Sequence, residues 1–311
     1  MTSIDPDVRA LLEQMSASLP APADFDVAAF RKMVEENPAP PSHITLAAVD
    51  DTTIPGPGGP LPLRFYRPNL DRGQPAIVFV HGGGFIQRGL DSHDEMCRRL
   101  ASGTSSVIVA VDCRPAPEHP YPAAVEDTYA ALRHVDREAD ALGLDRSRIA
   151  LGGVSAGGTI AAGTALWSRD AGGPRVALQI LMTPLLQHRE QTPSRQANSQ
   201  GYGVTTAFVD WTSDQYAPGD LADEPYCAPL RADDLSCLPP AFIHTAELDP
   251  LRDDGTAYAQ RLAEAGVPVE HRDAPGLFHG FESFPEVLPA AREEVTIQLD
   301  TIRRLLTGGG P

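Results

Sequence analysis

Residues 148–158 read RIALGGVSAGG, an apolar run that ends in five small residues around Val154 and Ser155. Glycines at such a junction serve two chemistries. They can cradle a phosphate on backbone N–H groups, or let the chain turn sharply enough to present one side chain. The phosphate loop needs Gly-Lys-Ser/Thr at its end, and the only lysine of the chain is Lys32. Gly153-Val154-Ser155-Ala156-Gly157 instead fits G-x-S-x-G, between a predicted strand over 148–153 and a predicted helix over 156–168. In that setting the serine sits on a strained turn whose flanking positions leave no room for side chains. The turn exposes the serine Oγ at the helix N-terminus and points the Ala156 N–H at a developing oxyanion.

Working outward, apolar runs at 76–81, 106–112, 148–153, 176–182, 241–247 and 267–273 alternate with helical patterns such as 122–142, 156–168, 253–266 and 287–306. Continuous apolar strands separated by helices predict an α/β fold, with a mostly parallel central sheet and helices on both faces. Ahead of them, two amphipathic helices place Val8, Leu11, Leu12 and Met15, then Val27, Phe30, Met33 and Val34, on single faces. NPAPPS (37–42) ends this pair, and HITLAAV (43–49) and LPLRFYRP (61–68) read as a hairpin about a Gly/Pro turn at 55–60. Residues 187–224 break the alternation, polar at first and then helical with Val204, Phe208 and Trp211 on one face. An insertion of that length between two sheet strands predicts a lid.

Composition narrows the partners. The 311 residues are 42% hydrophobic and 22% charged, ordinary for a soluble globular chain. Forty-two acids against 25 bases give a net charge of −17, which offers no positive face to nucleic acid or an anionic membrane. Cys97, Cys113, Cys227 and Cys237 lack CxxC spacing and are expected to be free, mostly buried thiols. The N-terminus has no basic region followed by an apolar run, and no apolar stretch approaches ~20 residues. A cytoplasmic protein without a membrane partner is expected. Without HxxxH, HExxH or a carboxylate cluster beside a histidine, no metal or cofactor is expected either.

HGGGF, His81 to Phe85, directly follows the strand over 76–81. Three glycines let the backbone approach a substrate closely, so Gly83 and Gly84 join Ala156 as candidate oxyanion donors. A serine nucleophile needs a base, and the base an orienting acid. His279, in GLFHGF between the last strand and the last helix, is the candidate base, whereas His244 lies inside an apolar strand and reads as core. His43, His93, His119, His134, His188 and His271 have no supporting context. Asp249 follows the strand over 241–247 at its C-terminal end, where the active residues of open α/β sheets gather. Asp253 and Asp254 read as helix N-terminal acids. The order Ser155, Asp249, His279 is that of α/β-hydrolases.

These pieces, with DCRPAPEHPYPAAVED (112–127) and DPLRDDG (249–255), resemble the hormone-sensitive-lipase-like carboxylesterases, the bacterial family IV of the α/β-hydrolase fold, over about residues 45–311. The resemblance implies one α/β-hydrolase domain with a catalytic body at about 45–186 and 225–311 and a helical cap at about 1–44 and 187–224. It implies Ser155, Asp249 and His279 as the triad and a small neutral ester as substrate; without a membrane-binding apolar surface or a secretion signal, short to medium acyl chains are expected. Phe85, Phe208, Trp211 and Phe281 are candidate pocket walls. A homodimer is open by family analogy, with an apolar stripe at Val295, Leu299, Ile302 and Leu306, although such a stripe more often faces the chain's own core. The chain departs from the family at Val154, where Asp or Thr is usual, at Cys113 to Glu118, and at Thr183-Pro184. Glu118 is read as part of a rigid Pro-rich loop, with support of the site as the alternative. Acyl transfer or elimination with the same residues stays open, as does a catalytically silent small-ligand receptor.

Overall fold

Residues 4–17, 25–37, 42–87 and 89–308 are described by the computed structural model. Residues 1–3, 18–24 and 38–41 of the expected cap and its NPAPPS break lie outside the described residues. Two helices, α1 (Pro6–Ala17) and α2 (Val27–Glu36), come first. The strands are β1 (Ala48–Gly56), β2 (Gly59–Arg67), β3 (Gln74–Val80), β4 (Val107–Val111), β5 (Leu144–Val154), β6 (Gln179–Met182), β7 (Ala241–Leu248) and β8 (Val269–Phe278). Between and after them run α3 (Asp94–Thr104), α4 (Ala123–Arg137), the one-turn α5 (Ala139–Leu142), α6 (Ala156–Asp170), α7 (Pro193–Ala197), α8 (Thr206–Tyr216), α9 (Arg252–Glu264) and α10 (Pro289–Leu306).

The strands form one sheet in the order β1-β2-β4-β3-β5-β6-β7-β8, parallel from β4 to β8 and antiparallel where β1 meets β2 and β2 meets β4. Every residue of β3 and β4 is buried, because both faces of the sheet are covered. The two-residue period divides the apolar side chains. Ala76, Val78 and Val80 join a cluster with α4, α6 and α9, while Ile77 and Phe79 face Leu100 of α3 and Ile302 of α10. A helical cap completes the α/β-hydrolase architecture. Phe25, Phe30, Phe208 and Trp211 form one aromatic cluster, with ring centroids 5.3 to 5.8 Å apart, that joins the α2 region to α8.

Some sequence expectations shift. The first strand begins at Ala48 and runs through Pro55, so HITLAAV contributes only its last two residues. Most of β1 is exposed at the sheet edge, where no apolar pattern is needed to mark it. The helix expected over 122–142 divides at Glu138 into α4 and α5. Helix α3 was not expected, since DEMCRRLASGT mixes four charged residues with a narrow buried face of Met96, Cys97, Leu100, Ala101 and Thr104. The apolar stripe of α10 faces the body: Val295, Ile302 and Leu306 are buried in this chain's own core. Cys97, Cys113 and Cys227 are buried free thiols, and Cys237 is exposed.

Candidate active site

Strand β5 ends at Val154 and α6 begins at Ala156, which leaves Ser155 as the helix cap at φ 55 and ψ −120. A non-glycine residue holds that conformation only when its surroundings enforce it. Ser155 N donates to the Met182 carbonyl at 2.9 Å, and its own carbonyl accepts Gly158 N at 2.9 Å, so both ends of the turn are fastened. Side-chain-free positions make the turn feasible. A Cβ on Gly157 would fall on the Val80 and His81 carbonyls, and one on Gly153 would fall on the Gly157 carbonyl. Ala156, as the first helical residue, has no acceptor one turn back for its N–H.

Asp249 and His279 reach this serine from the C-terminal ends of β7 and β8. His279 Nε2 lies 2.9 Å from Ser155 Oγ, and His279 Nδ1 lies 2.8 Å from Asp249 Oδ2. The carboxylate accepts, so the imidazole proton sits on Nδ1 and the Nε2 lone pair faces the serine hydroxyl. Asp249 is 1% exposed, and its other oxygen accepts Leu251 N at 2.7 Å. Burial alone would lower the His279 pKa. The charge and hydrogen bond of Asp249, with Glu282 adding to them, outweigh it and hold the pKa above the ordinary histidine value. This arrangement can activate a hydroxyl as nucleophile and stabilise the imidazolium that forms.

Opposite the elbow, the HGGGF loop leaves the end of β3 with Gly83 at φ 103, Gly84 at φ 61 and Phe85 at φ 65. The Gly83 carbonyl accepts Ile86 N and Gln87 N, both at 3.2 Å, which closes a turn here. A Cβ on Gly84 would meet Thr212 Cγ2 at 2.7 Å, so α8 lies directly on this loop. Phe85 is 7% exposed and stacks on Tyr216, ring centroids 3.9 Å apart. Phe208 and Trp211 are half-buried in the cap's aromatic cluster. Phe281 corrects the expectation of a pocket wall. It is 0% exposed and packs edge-on against His244 at 5.1 Å, because the turn after Gly280 folds it inward under α10.

Sequence reasoning missed several supports. Asn198, at the end of α7, donates to the Asp249 carbonyl at 3.1 Å and the Glu247 carbonyl at 3.2 Å, fastening the acid's loop to the insertion. His93 accepts Gly82 N at 3.3 Å and packs beside His81, ring centroids 5.4 Å apart. Glu282 is 2% exposed, and neither carboxyl oxygen meets a donor among the described residues. Burial raises its pKa. No periodicity or motif marks any of the three. Glu118, read as loop with site support as the alternative, pairs bidentately with Arg31 of α2 at 2.7 and 2.8 Å. His244 is core as expected, within reach of Gln298 at 2.8 Å and Glu294 at 3.3 Å. Asp254, read as a helix-start acid, is fully buried against Arg195 at 3.2 Å. Among the described residues no cluster of His, Cys, Asp and Glu could hold a metal ion, and no helix is long and apolar enough to cross a membrane.

Comparison with known proteins places this geometry among esterases. Residues 77–283 match the family model described as alpha/beta hydrolase fold. The chain is 41% identical over 314 aligned positions to esterase LipI of Mycobacterium tuberculosis, covering 98% of this chain and 96% of that one. Carboxylesterase NlhH of the same organism is likewise 41% identical, over 97% of this chain and 96% of its own. Among solved structures, the hyperthermophilic esterase of Pyrobaculum calidifontis superposes with a TM-score of 0.90 at 40% identity, covering 96% of this chain and 98% of that one.

Proposed function

The chain belongs to the hormone-sensitive-lipase-like (family IV) carboxylesterases of the α/β-hydrolase fold, and from that premise we propose that Ser155, Asp249 and His279 are its catalytic triad. It is a serine-type carboxylesterase acting on small esters. The observation that carries the residue assignment is the unbroken relay from Asp249 through His279 to Ser155, at 2.8 and 2.9 Å. Ser155 Oγ attacks the ester carbonyl as His279 Nε2 takes its proton. Asp249 holds the imidazole tautomer and stabilises the imidazolium without itself becoming protonated. The N–H groups of Gly83, Gly84 and Ala156 receive the oxyanion. His279 then protonates the leaving alcohol, and water repeats the sequence on the acyl-enzyme.

Further proposals concern the cap and pocket. The described residues within about 1–44, with those of about 187–224, form the cap, and Phe85, Phe208 and Trp211 wall the acyl pocket beneath it. Short to medium acyl chains fit this pocket best, and the enzyme works in the cytoplasm. Each added methylene helps only while the pocket still buries it, so activity falls off before about twelve carbons. A profile that peaks beyond that length would overturn the pocket assignment.

Ser155→Ala tests the nucleophile. Its hydrolysis of an aryl acetate is expected to fall by at least ~10⁴-fold. In the parent, an aryl phosphonate should add its mass to the peptide containing Ser155. Near-parent turnover by Ser155→Ala, or label found on another peptide, would refute the assignment.

A further inference from the structure

Gly82 is held from two sides by imidazoles. His81 Nδ1 lies 2.7 Å from the Gly82 carbonyl oxygen, and Gly82 N lies 3.3 Å from His93 Nε2. A carbonyl only accepts, so His81 carries its proton on Nδ1. An amide N–H only donates, so His93 offers the Nε2 lone pair and keeps its proton on Nδ1. Ser92 agrees with that tautomer. Its Oγ sits 2.9 Å from His93 Nδ1, and its own hydroxyl points to the Gly89 carbonyl at 3.4 Å. Burial keeps both rings neutral, with His93 pushed down to about 3.

We propose that His81 and His93 are positioning residues that aim the oxyanion hole by fixing the two peptides on either side of Gly82. The inference rests on the assignment of the Gly83 N–H as an oxyanion donor. A trans peptide sets its C=O and N–H antiparallel in one plane. The Gly82 carbonyl and the Gly83 N–H belong to the same peptide, so His81, by donating to the carbonyl, directs the N–H on the opposite side. His93 anchors the preceding peptide through the Gly82 N–H. Together they remove the freedom of rotation that consecutive glycines would otherwise allow.

Val154 gives the atypical letter of the elbow a place in the same device. A Cβ on Gly82 would meet the Val154 carbonyl at 3.2 Å, Val154 Cγ1 at 3.4 Å and His93 Nε2 at 3.6 Å. Elbow and oxyanion loop therefore touch through Val154, Gly82 and His93. An apolar side chain here sets no charge beside the imidazoles, and His93 Nε2 stays an acceptor.

The experiment compares His93→Gln, whose Oε1 can take the place of Nε2, with His93→Asn and His93→Leu, which place no acceptor there. Steady-state kinetics on an aryl acetate and thermal melting are measured for each. The Leu and Asn variants should lose ~10- to 100-fold in kcat with KM within about twofold of the parent, less than the loss of a whole donor because the N–H is misaimed rather than absent. The Gln variant should return to within about threefold in kcat. His81→Asn, whose Nδ2–H replaces Nδ1–H, should likewise exceed His81→Leu.

Folded Leu or Asn variants with parent kcat overturn the proposal. So does a folded Gln variant as slow as either of them, or a loss confined to KM. Should Leu fail to fold, the Gln–Asn contrast decides. Phosphonate labelling of the parent separates this result from the underlying reading: an unlabelled Ser155 sinks the triad, whereas a labelled parent with indifferent His93 variants sinks only the positioning role.

Discussion

At the scale of single residues, His279 is governed by two opposed effects. Burial disfavours its charged form, and the Asp249 carboxylate at 2.8 Å favours it, with the carboxylate winning. The base must be neutral to take the Ser155 proton, so a raised pKa places the acid limb of kcat/KM above the ordinary histidine value of about 6.5. Activity should fall as pH drops through that limb, and a limb below about 6.5 would show that burial wins. The stability this pairing contributes runs the other way. It is fully present below the unfolded-state pKa and is lost as pH rises through the folded one. Asp249→Asn removes the attraction and favours the wrong tautomer. It should cost ~10⁴-fold in kcat while the melting temperature changes little.

At the scale of elements, a buried arginine joins Asn198 in fastening the insertion to the rest of the chain. Arg195 of α7 is 1% exposed, and it reaches Asp210 of α8 at 3.3 Å, the Gln187 carbonyl at 2.8 Å and Asp254 of α9 at 3.2 Å. Asp254 also accepts Leu186 N and Gln187 Nε2, both at 3.1 Å, yet burial still raises its pKa. Arg195→Ala leaves that carboxylate without its cation and should destabilise the fold by ~3–5 kcal/mol in urea unfolding. Arg195→Met with Asp254→Leu should recover much of the loss, since no charge is then stranded. A single variant as stable as the parent would mean that the pair does not hold the insertion. Asp254 also shows a limit of reading by position. An acid at the start of a helix suggests a dipole partner, and only packing reveals a buried ion pair.

At the scale of the whole molecule, α2 meets the rest of the described chain through few strong contacts. Helix α2 has no fully buried residue. It is held by its aromatic cluster and by Arg31, which donates to the Ile86 carbonyl at 2.7 Å, the Ala116 carbonyl at 2.8 Å and both Glu118 oxygens. Glu118 is partly exposed, so the ion pair itself contributes little, and the two buried carbonyls matter more. Arg31→Ala should therefore speed proteolysis ahead of β1 severalfold while the thermal transition of the body shifts by only a few degrees. Unchanged proteolysis would place the hold in the aromatics alone.

The alternation of strands and helices and the elbow at Ser155 were legible in the sequence because each is a local pattern, and the chain order of Ser155, Asp249 and His279 was legible only through the separate short motifs that mark those three positions. Backbone period, a side-chain-free turn and a motif's spacing are properties of neighbours along the chain. The sequence by itself therefore determined the fold class and pointed, through its motifs and the family they resemble, to ester hydrolysis, with acyl transfer and elimination left open. It could not show that His93 and His81 grip Gly82, that Glu282 is buried beside His279, that Phe281 turns into the core, or that Arg195 joins α7, α8 and α9. Those follow from contacts between segments far apart in the chain, such as the 59 positions between Arg195 and Asp254. Burial and hydrogen-bond partners exist only once the layers close, and only tertiary structure decided which polar groups were taken out of water and what met them there.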